Sequence, residues 1–597
     1  MVLKKTWDKH QNFILALVWI LLLVLAVSIR YDFYYDLNDD VLMKDILAGV
    51  YTGVPEGHNI QMLYLISAFI SIGYRILRDL PWYGIFLCVC QFGSLFLIGR
   101  RSLTYCQSLW IKLGLLLLGT LLTGATLLPH LVYAQYTITA TLLASAAAFL
   151  FYTADQTGTP LCYLRRNLPS ILMVTVAYLI RSEMLLLVLP LICVAGVLRW
   201  STEQKIFCKE SFLKYLGVFG AILLGLLVGQ GTHMLAYSSE EWKTFTTYFD
   251  NRTELYDFQI LPEYEANQEF YESIGLNQSE QELLQNYNFG LDEEIDETLL
   301  GEIASYAADH RKAEQPFMDN LKESMGNYGY RLLHGSGQTV TAVWDAPDTD
   351  FPWNYLVISA YLSVVLLFLL QRKWWRIWEP AFLFLTRTTL WMYILMRRRY
   401  PTRITHSLYL MEFCILAAIL LQGIGSSKWQ KKNTAERKKQ FGIAALALLA
   451  GLSLWGCTYT VRTVDLEQTR REQEGAPYEA LLAYCQDHPE QYYFIDVYST
   501  VSYSEKMFAG VDNELANHDI MGGWACKSPL YRKKLAAFQL STMEEAILYN
   551  SNVYVIAENE NSMQWLQQYY TDHDADITIS PVDTIGDAMT VYQVVEN

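Results

Sequence analysis

Apolar runs of about 15 to 24 residues recur along the chain between short polar connectors, a spacing that predicts membrane helices rather than the core helices of a soluble fold. The first run, "FILALVWILLLVLAVSI", follows "MVLKKTWDKHQ". No small-residue cleavage site comes after it and further runs do, so it reads as a span and not as a signal peptide. Eleven spans are predicted, at 12–29, 83–99, 109–128, 132–152, 168–181, 183–199, 213–236, 354–371, 379–396, 407–425 and 441–460. Lys and Arg beside spans stay on the cytoplasmic side. The N-terminus is therefore expected inside, together with Arg100–Arg101, Arg165–Arg166, "RWSTEQKIFCK", "QRKWWR" and "KWQKKNTAERKK". That count requires "NIQMLYLISAFISIGYRIL" (59–77) to lie at the outer surface; if it crossed, every later basic cluster would change side. An odd number of spans leaves the C-terminus outside.

Two long polar segments then fall outside. Residues 237–353 are acidic ("SSEEW", "LDEEIDETLLGE") with helical periodicity, which predicts a small folded insertion. From 461 to 597 helical stretches alternate with short apolar strands, as in "YEALLAYCQDH", "YYFIDVYS", "MEEAILYN", "NVYVIAEN", "MQWLQQYYTDH" and "MTVYQVVEN", the pattern of a compact α/β domain. The fold class is thus a polytopic α-helical membrane protein with an extracytoplasmic helical insertion and a C-terminal extracytoplasmic α/β domain. Its expected division is 1–236, a membrane module with an outer loop at 30–82; 237–353, the insertion; 354–460, further membrane helices; and 461–597, the α/β domain.

Composition agrees: 52% of residues are hydrophobic and only 18% charged. The net charge of −16 lies mostly in the outer parts, which argues against nucleic acid as a partner. Most of the ten cysteines sit in or beside spans, and none has metal-ligand spacing. Cys485 and Cys526 lie in the outer domain, where pairing is open.

Against this background a few polar residues stand out. The stretch "YDLNDDVLMKDILAGVYTGVPEGHN" (35–59) places adjacent carboxylates, Asp39 and Asp40, just outside the first span, followed by a Gly- and Pro-rich turn and His58. "YLIRSEMLLLVLPL" puts Arg181 and Glu183 at the outer end of a very short turn between spans; ionisable groups at membrane depth are usually paired or functional, though a snorkelling pair would look the same. "MRRRYPTRITHSLYLMEF" (396–413) carries Arg397, Arg398, Arg399, Arg403 and His406 in a predicted outer loop, against the charge rule. Outward arginines at headgroup level are suited to gripping phosphate oxygens bidentately. The alternative is an inverted topology at this point. Arg387, inside "FLFLTRTTLWMYILM", adds a buried cation.

The order of these features resembles the GT-C superfamily of polytopic glycosyltransferases, which use polyprenyl-phosphate-linked sugars and include protein mannosyltransferases and aminoarabinose transferases. An acidic pair opening a helix in the first outer loop ("NDDVLMKDILAG"), a Gly-His before a surface helix ("GHNIQMLYLISAF"), "LIRSEMLLLVLPL" midway and "RRRYPTRITHSLYLMEFCILAAIL" late in the chain carry the resemblance, over roughly residues 10–425. The usual Pro-Pro after the His is replaced by "NI", and the pair is Asp-Asp where Asp-Glu is commoner. The resemblance implies that Asp39 acts as general base toward an acceptor hydroxyl, displacing lipid phosphate with inversion, and that Asp40 holds the acceptor or a divalent ion. It also implies that Arg397, Arg398, Arg399, Arg403 and Arg181 stabilise the leaving phosphate, with Glu183 orienting Arg181 and His58 donating to sugar or phosphate. His406 and Arg387 would support them. Mg²⁺ or Mn²⁺ between carboxylate and phosphate, held by Asp39 and Asp40, fits this chemistry without being required by it.

The expected function is transfer of a sugar from a polyprenyl-phosphate donor to an extracytoplasmic glycan, polymer, lipid or protein acceptor, in a bacterial plasma membrane. Two other classes stay open: a transporter or flippase of lipid-linked sugars, and a non-catalytic cell-envelope assembly protein. Asp39 taken alone reads as a simple helix N-terminal residue.

Overall fold

The structure, a computed structural model, describes residues 2–314, 316–335, 349–425, 435–500, 503–509, 513–558 and 563–597. Most of the basic run "KWQKKNTAERKK" lies outside the described residues. Among those described, nine helices are long and apolar enough to cross a membrane: His10–Arg30, Trp82–Leu103, Leu109–Thr126, Tyr136–Thr153, Ser182–Trp200, Lys209–Ala236, Trp353–Leu370, Thr402–Ile424 and the apolar part of Ala444–Asp487.

Two of the eleven expected spans are absent from that set. The run at 168–181 forms a helix of only 13 residues, Leu168–Ile180, because the backbone turns extended at Arg181 before the next helix begins. The run at 379–396 forms a 19-residue helix, Trp378–Met396, whose hydropathy is reduced by Glu379 and Arg387. The 59–77 segment forms the helix Tyr64–Ile76, about 20 Å long at 1.5 Å per residue and too short for a hydrocarbon layer of about 30 Å. Leu65, Phe69, Ile72 and Ile76 are exposed along one face of it while Ile66, Ile70 and Tyr74 are buried on the other, the pattern of a helix lying in an interface.

The helix Tyr136–Thr153 is the centre of the bundle, with 94% of its residues buried. Its sequence, "YTITATLLASAAAFLFYT", is rich in Ala, Thr and Ser, and small side chains let neighbouring backbones approach closely. The helices Thr402–Gly425, Leu168–Ile180, Trp82–Leu103 and Ser182–Trp200 pack around it. Gln135 caps it, its side chain accepting from the Thr137 and Ile138 amides at 2.7 and 3.2 Å.

The acidic insertion is helical, with helices at Glu240–Phe258, Gln268–Ser273, Gln278–Gln285, Glu297–Glu314 and Phe317–Leu333. The last apolar run and "YEALLAYCQDH" belong to one 53-residue helix, Ala435–Asp487, which carries the chain from the bundle into the C-terminal α/β part. There a five-stranded mixed sheet runs in the order His518–Ile520, Tyr492–Ile495, Val553–Ala557, Met589–Glu596, Ile577–Ile585. The first three strands are parallel and the last two antiparallel. Cys485 and Cys526 are both free thiols, buried in different packed clusters.

Candidate active site

The loop after the first apolar helix is held from three sides. Tyr34–Tyr35 pair in parallel with Tyr133–Ala134, and the Asp36 amide donates to the Ala134 carbonyl at 3.0 Å, so the loop is registered against the start of the central helix. Arg471, on the long C-terminal helix, donates from Nη2 to Asp36 Oδ1 at 2.8 Å and from Nε to Glu467 Oε1 at 2.7 Å. Lys44 reaches Glu505 Oε2 and Asp45 Oδ1, both at 2.7 Å, which pins the helix Asn38–Ala48 to the α/β part. That helix stops at Gly49, whose φ of 90° is left-handed and where a Cβ would lie 2.6 Å from the Val54 carbonyl carbon.

Asp39 and Asp40 both stand in the first turn of this helix, where the dipole favours negative charge. Adjacent helix positions point about 100° apart, and the two carboxylates go to different places. Asp40 is fully buried: its Oδ1 accepts from the Tyr83 hydroxyl at 2.7 Å, while Oδ2 has no hydrogen-bond partner among the described residues. Burial pushes its carboxyl well above the usual range, against the pull of the Tyr83 hydrogen bond and with added repulsion from Asp39 and Asp36. Asp39 instead is half-buried and lines a cavity of about 390 Å³. A single cation gripped by both side chains as adjacent ligands does not fit this divergence.

The cavity lies between the Asn38–Ala48 helix, the insertion and the α/β part. Its walls include Tyr51, Arg252, Tyr287, Tyr498 and Trp524, with Asp519 and Lys534 deeper in. Asp519 accepts from the Tyr51 hydroxyl at 2.8 Å, and the Lys534 ammonium sits 4.4 Å from the Tyr51 ring centre. An acid at the wall of a cavity lined by aromatic rings and several charged groups has the general form of a small-molecule or sugar subsite.

Arg181 and Arg403 are grouped about Tyr136, at the head of the central helix. The Tyr136 phenol lies in the fields of Arg181, Asp39, Asp40 and Arg403 together. Arg181 stacks over the Tyr136 ring at 5.2 Å, donates to Gln61 Oε1 at 2.6 Å and meets Glu183 at 3.2 Å. Arg399 pairs with Asp257 at 2.8 Å; the Asp257 charge also reaches Arg181, and that of Arg399 reaches Tyr287 on the cavity wall. Asp39, Arg181 and Arg403 are therefore neighbours of Tyr136, and Arg399 joins them through Asp257.

The remaining residues singled out by sequence sit elsewhere. Arg397 lies over the Phe258 ring at 5.1 Å and lines a separate cavity of about 250 Å³ beside Arg311 and Lys312, and Arg398 pairs with Glu323 at 3.0 Å. Arg387 is buried and committed to Glu412 at 2.8 Å and Tyr328 at 2.6 Å. His406 is buried in the bundle, 2.8 Å from His130 and against Trp353. His58 is clamped by Glu56 at 3.0 Å and the Ala236 carbonyl at 3.2 Å, and stacks on Trp242. Burial opposes the charged form of Glu56, but the His58 hydrogen bond and charge, with the Gly57 amide, outweigh it and hold that carboxyl at about 2. Sequence reasoning missed Tyr136, Arg252, Asp257 and Tyr287. Only Tyr136 had a signal, as an aromatic residue near the start of an unusually small-residue span.

No family model matches the chain, and no curated protein matches it. Two solved structures are similar to it over 96% of its length and 97% of theirs, both of ArnT from Cupriavidus metallidurans. The one bound to undecaprenyl phosphate has 10% identity and a TM-score of 0.37; the apo one has 8% and 0.40. At that identity and score the residues of the site have to carry any reading of function.

Proposed function

We propose that the chain is a membrane glycosyltransferase that moves a sugar from a polyprenyl-phosphate-linked donor to an extracytoplasmic acceptor with inversion. The observation that carries this reading is the position of Asp39, which lines the aromatic cavity at the foot of a loop registered against the head of the central helix, where Arg181 stacks on Tyr136. An acid that lines a sugar-sized cavity and has guanidinium groups for neighbours suits one reaction above others.

The acceptor hydroxyl, held in the cavity, gives its proton to the Asp39 carboxylate as its oxygen attacks the anomeric carbon. The bond from that carbon to the phosphate oxygen breaks, and the lipid phosphate leaves with the electron pair. Arg181, Arg399 and Arg403 offset the developing charge, each having planar donors matched to phosphate oxygens. Glu183, Gln61 and Asp257 orient these guanidinium groups before substrate arrives. Asp40, with its proton retained by burial, braces the helix against Tyr83 and leaves the base role to Asp39. The Asp39 side faces the outer surface in the expected topology, so a lipid-borne donor meets it at headgroup level.

The test is transfer from polyprenyl-phosphate-linked sugars in proteoliposomes, with the anomeric configuration of the product read by NMR. A product of opposite configuration to the donor supports the reading. Retention of configuration, or translocation of the lipid-linked sugar without transfer, refutes it.

A further inference from the structure

We infer that Glu280, Asp292 and His573 form a binding site for a divalent metal ion that ties the insertion to the α/β part, independently of the transfer chemistry. One ligand atom from each of the three lies within 4.8 Å of the others. Two carboxylates and an imidazole form a mixed oxygen and nitrogen set suited to Zn²⁺ or Mn²⁺.

Each side chain is set for ligation by a different contact. His573 Nδ1 donates to the Tyr569 carbonyl at 2.8 Å, which leaves Nε2, 3.3 Å from Glu280 Oε1, as the ring atom a cation would take in place of a proton. Glu280 spends Oε2 on the Asn277 amide at 2.6 Å, closing the capping box of its helix, and presents Oε1 to His573. Asp292 spends Oδ1 on the Glu294 amide at 2.7 Å. Its Oδ2 is buried with no hydrogen-bond partner among the described residues, in a side chain only 2% exposed.

That last atom points to a ligand. A buried carboxylate oxygen without a partner is costly, and a cation is the occupant that three converging ligand atoms would satisfy together. Lys527 does not fill the role: its ammonium is turned to the backbone carbonyls of Asp292 and Ile295, which shapes the loop around the carboxylate. His573 is partly exposed, which leaves a path for an ion and for water to complete its coordination. The three ligands come from a helix and a loop of the insertion and from the end of the helix Gln564–Asp572, so the ion would cross-link two segments almost three hundred residues apart.

The experiment uses the full chain in detergent. Protein purified without chelator is analysed for metals by mass spectrometry, then stripped with EDTA and titrated with Zn²⁺, Mn²⁺ or Mg²⁺ while thermal unfolding is followed. A stoichiometric ion, and a Tm raised by a few degrees with Zn²⁺ or Mn²⁺ but not with Mg²⁺, is the expected result. The rise should vanish in Asp292→Asn and in His573→Gln; the second variant, at a partly exposed position, covers the case in which the first does not fold. No bound ion together with an unchanged Tm reduces the cluster to a Glu280–His573 ion pair and overturns the inference, as does an equal rise in both variants.

Discussion

Replacing Asp40 by Asn separates the two members of the acidic pair. The wild-type carboxyl is fully buried and accepts from the Tyr83 hydroxyl at 2.7 Å, and Asn offers the same acceptor to that hydroxyl without a proton to lose. The second oxygen has no partner, and an Asn amide there would be equally orphaned, so the exchange is close to neutral at low pH. The difference lies in the pH slope. Asp40 holds its proton in the folded chain well past the point at which an unfolded Asp, with a pKa near 3.9, has lost it. Over that window the folded state binds more protons than the unfolded state, and stability falls as pH rises. The loss is about 1.4 kcal/mol per pH unit, starting near pH 4 and ending where the folded carboxyl ionises. In a chain this long each kcal/mol moves the Tm by roughly a degree or two. Thermal unfolding in detergent, scanned from pH 4.5 to 8 for both proteins, should show the Asn variant gaining on the wild type with each unit until the curves run parallel. Curves parallel throughout, or a variant that loses ground as pH rises, would mean that Asp40 is ionised in the fold and would remove its bracing role.

Arg181→Gln takes away one charge-assisted contact to the leaving phosphate, about 1.5–3 kcal/mol, and should weaken apparent donor affinity about 10- to 150-fold while leaving the Tm unchanged; an unaltered donor KM would detach Arg181 from the site. Arg387→Met leaves Glu412 buried and unpaired and should cost about 3–5 kcal/mol in stability, with Glu412→Gln added to the same chain restoring most of it. If instead Arg387→Met keeps its Tm and loses transfer, Arg387 belongs to the chemistry. Tyr287→Ala opens the cavity wall and should raise the acceptor KM with donor affinity held; a change in donor affinity alone would place the acceptor elsewhere.

Much of the helix pattern was legible because membrane helices are written in composition: the long apolar runs and the short amphipathic helix at 64–76 follow from hydropathy and length alone. The two runs that fail the criterion do so for local reasons, an extended residue at Arg181 and a charged residue in the middle of 378–396. Asp39 could be found because its neighbours along the chain, a preceding span and a helix start, are local features. Arg252, Asp257 and Tyr287 could not. They sit in an acidic insertion with no distinguishing motif and reach Asp39 only through tertiary packing. Arg387 has a partner legible in the sequence, Glu412, 25 residues on in "LYLMEF", and a buried cation with a buried anion beside it has a structural role to fill before any functional one. Opposite charges in two neighbouring apolar runs were the clue to a structural pair. The three adjacent arginines at 397–399 divide for a geometric reason, since the helix ends there and successive side chains leave in different directions, Arg399 toward Asp257 and Arg398 toward Glu323.

The central claim is that Asp39 takes the proton of the acceptor. Its most direct test is the single-turnover transfer rate of Asp39→Asn at saturating donor, measured beside Asp40→Asn in the same proteoliposomes, with donor affinity determined separately for both. Loss of a positioned general base lowers the rate by about 10² to 10⁴. The account predicts a loss of that size for Asp39→Asn with donor affinity intact, and a rate near wild type for Asp40→Asn. Wild-type transfer by Asp39→Asn, or an equal collapse in both variants, would contradict it.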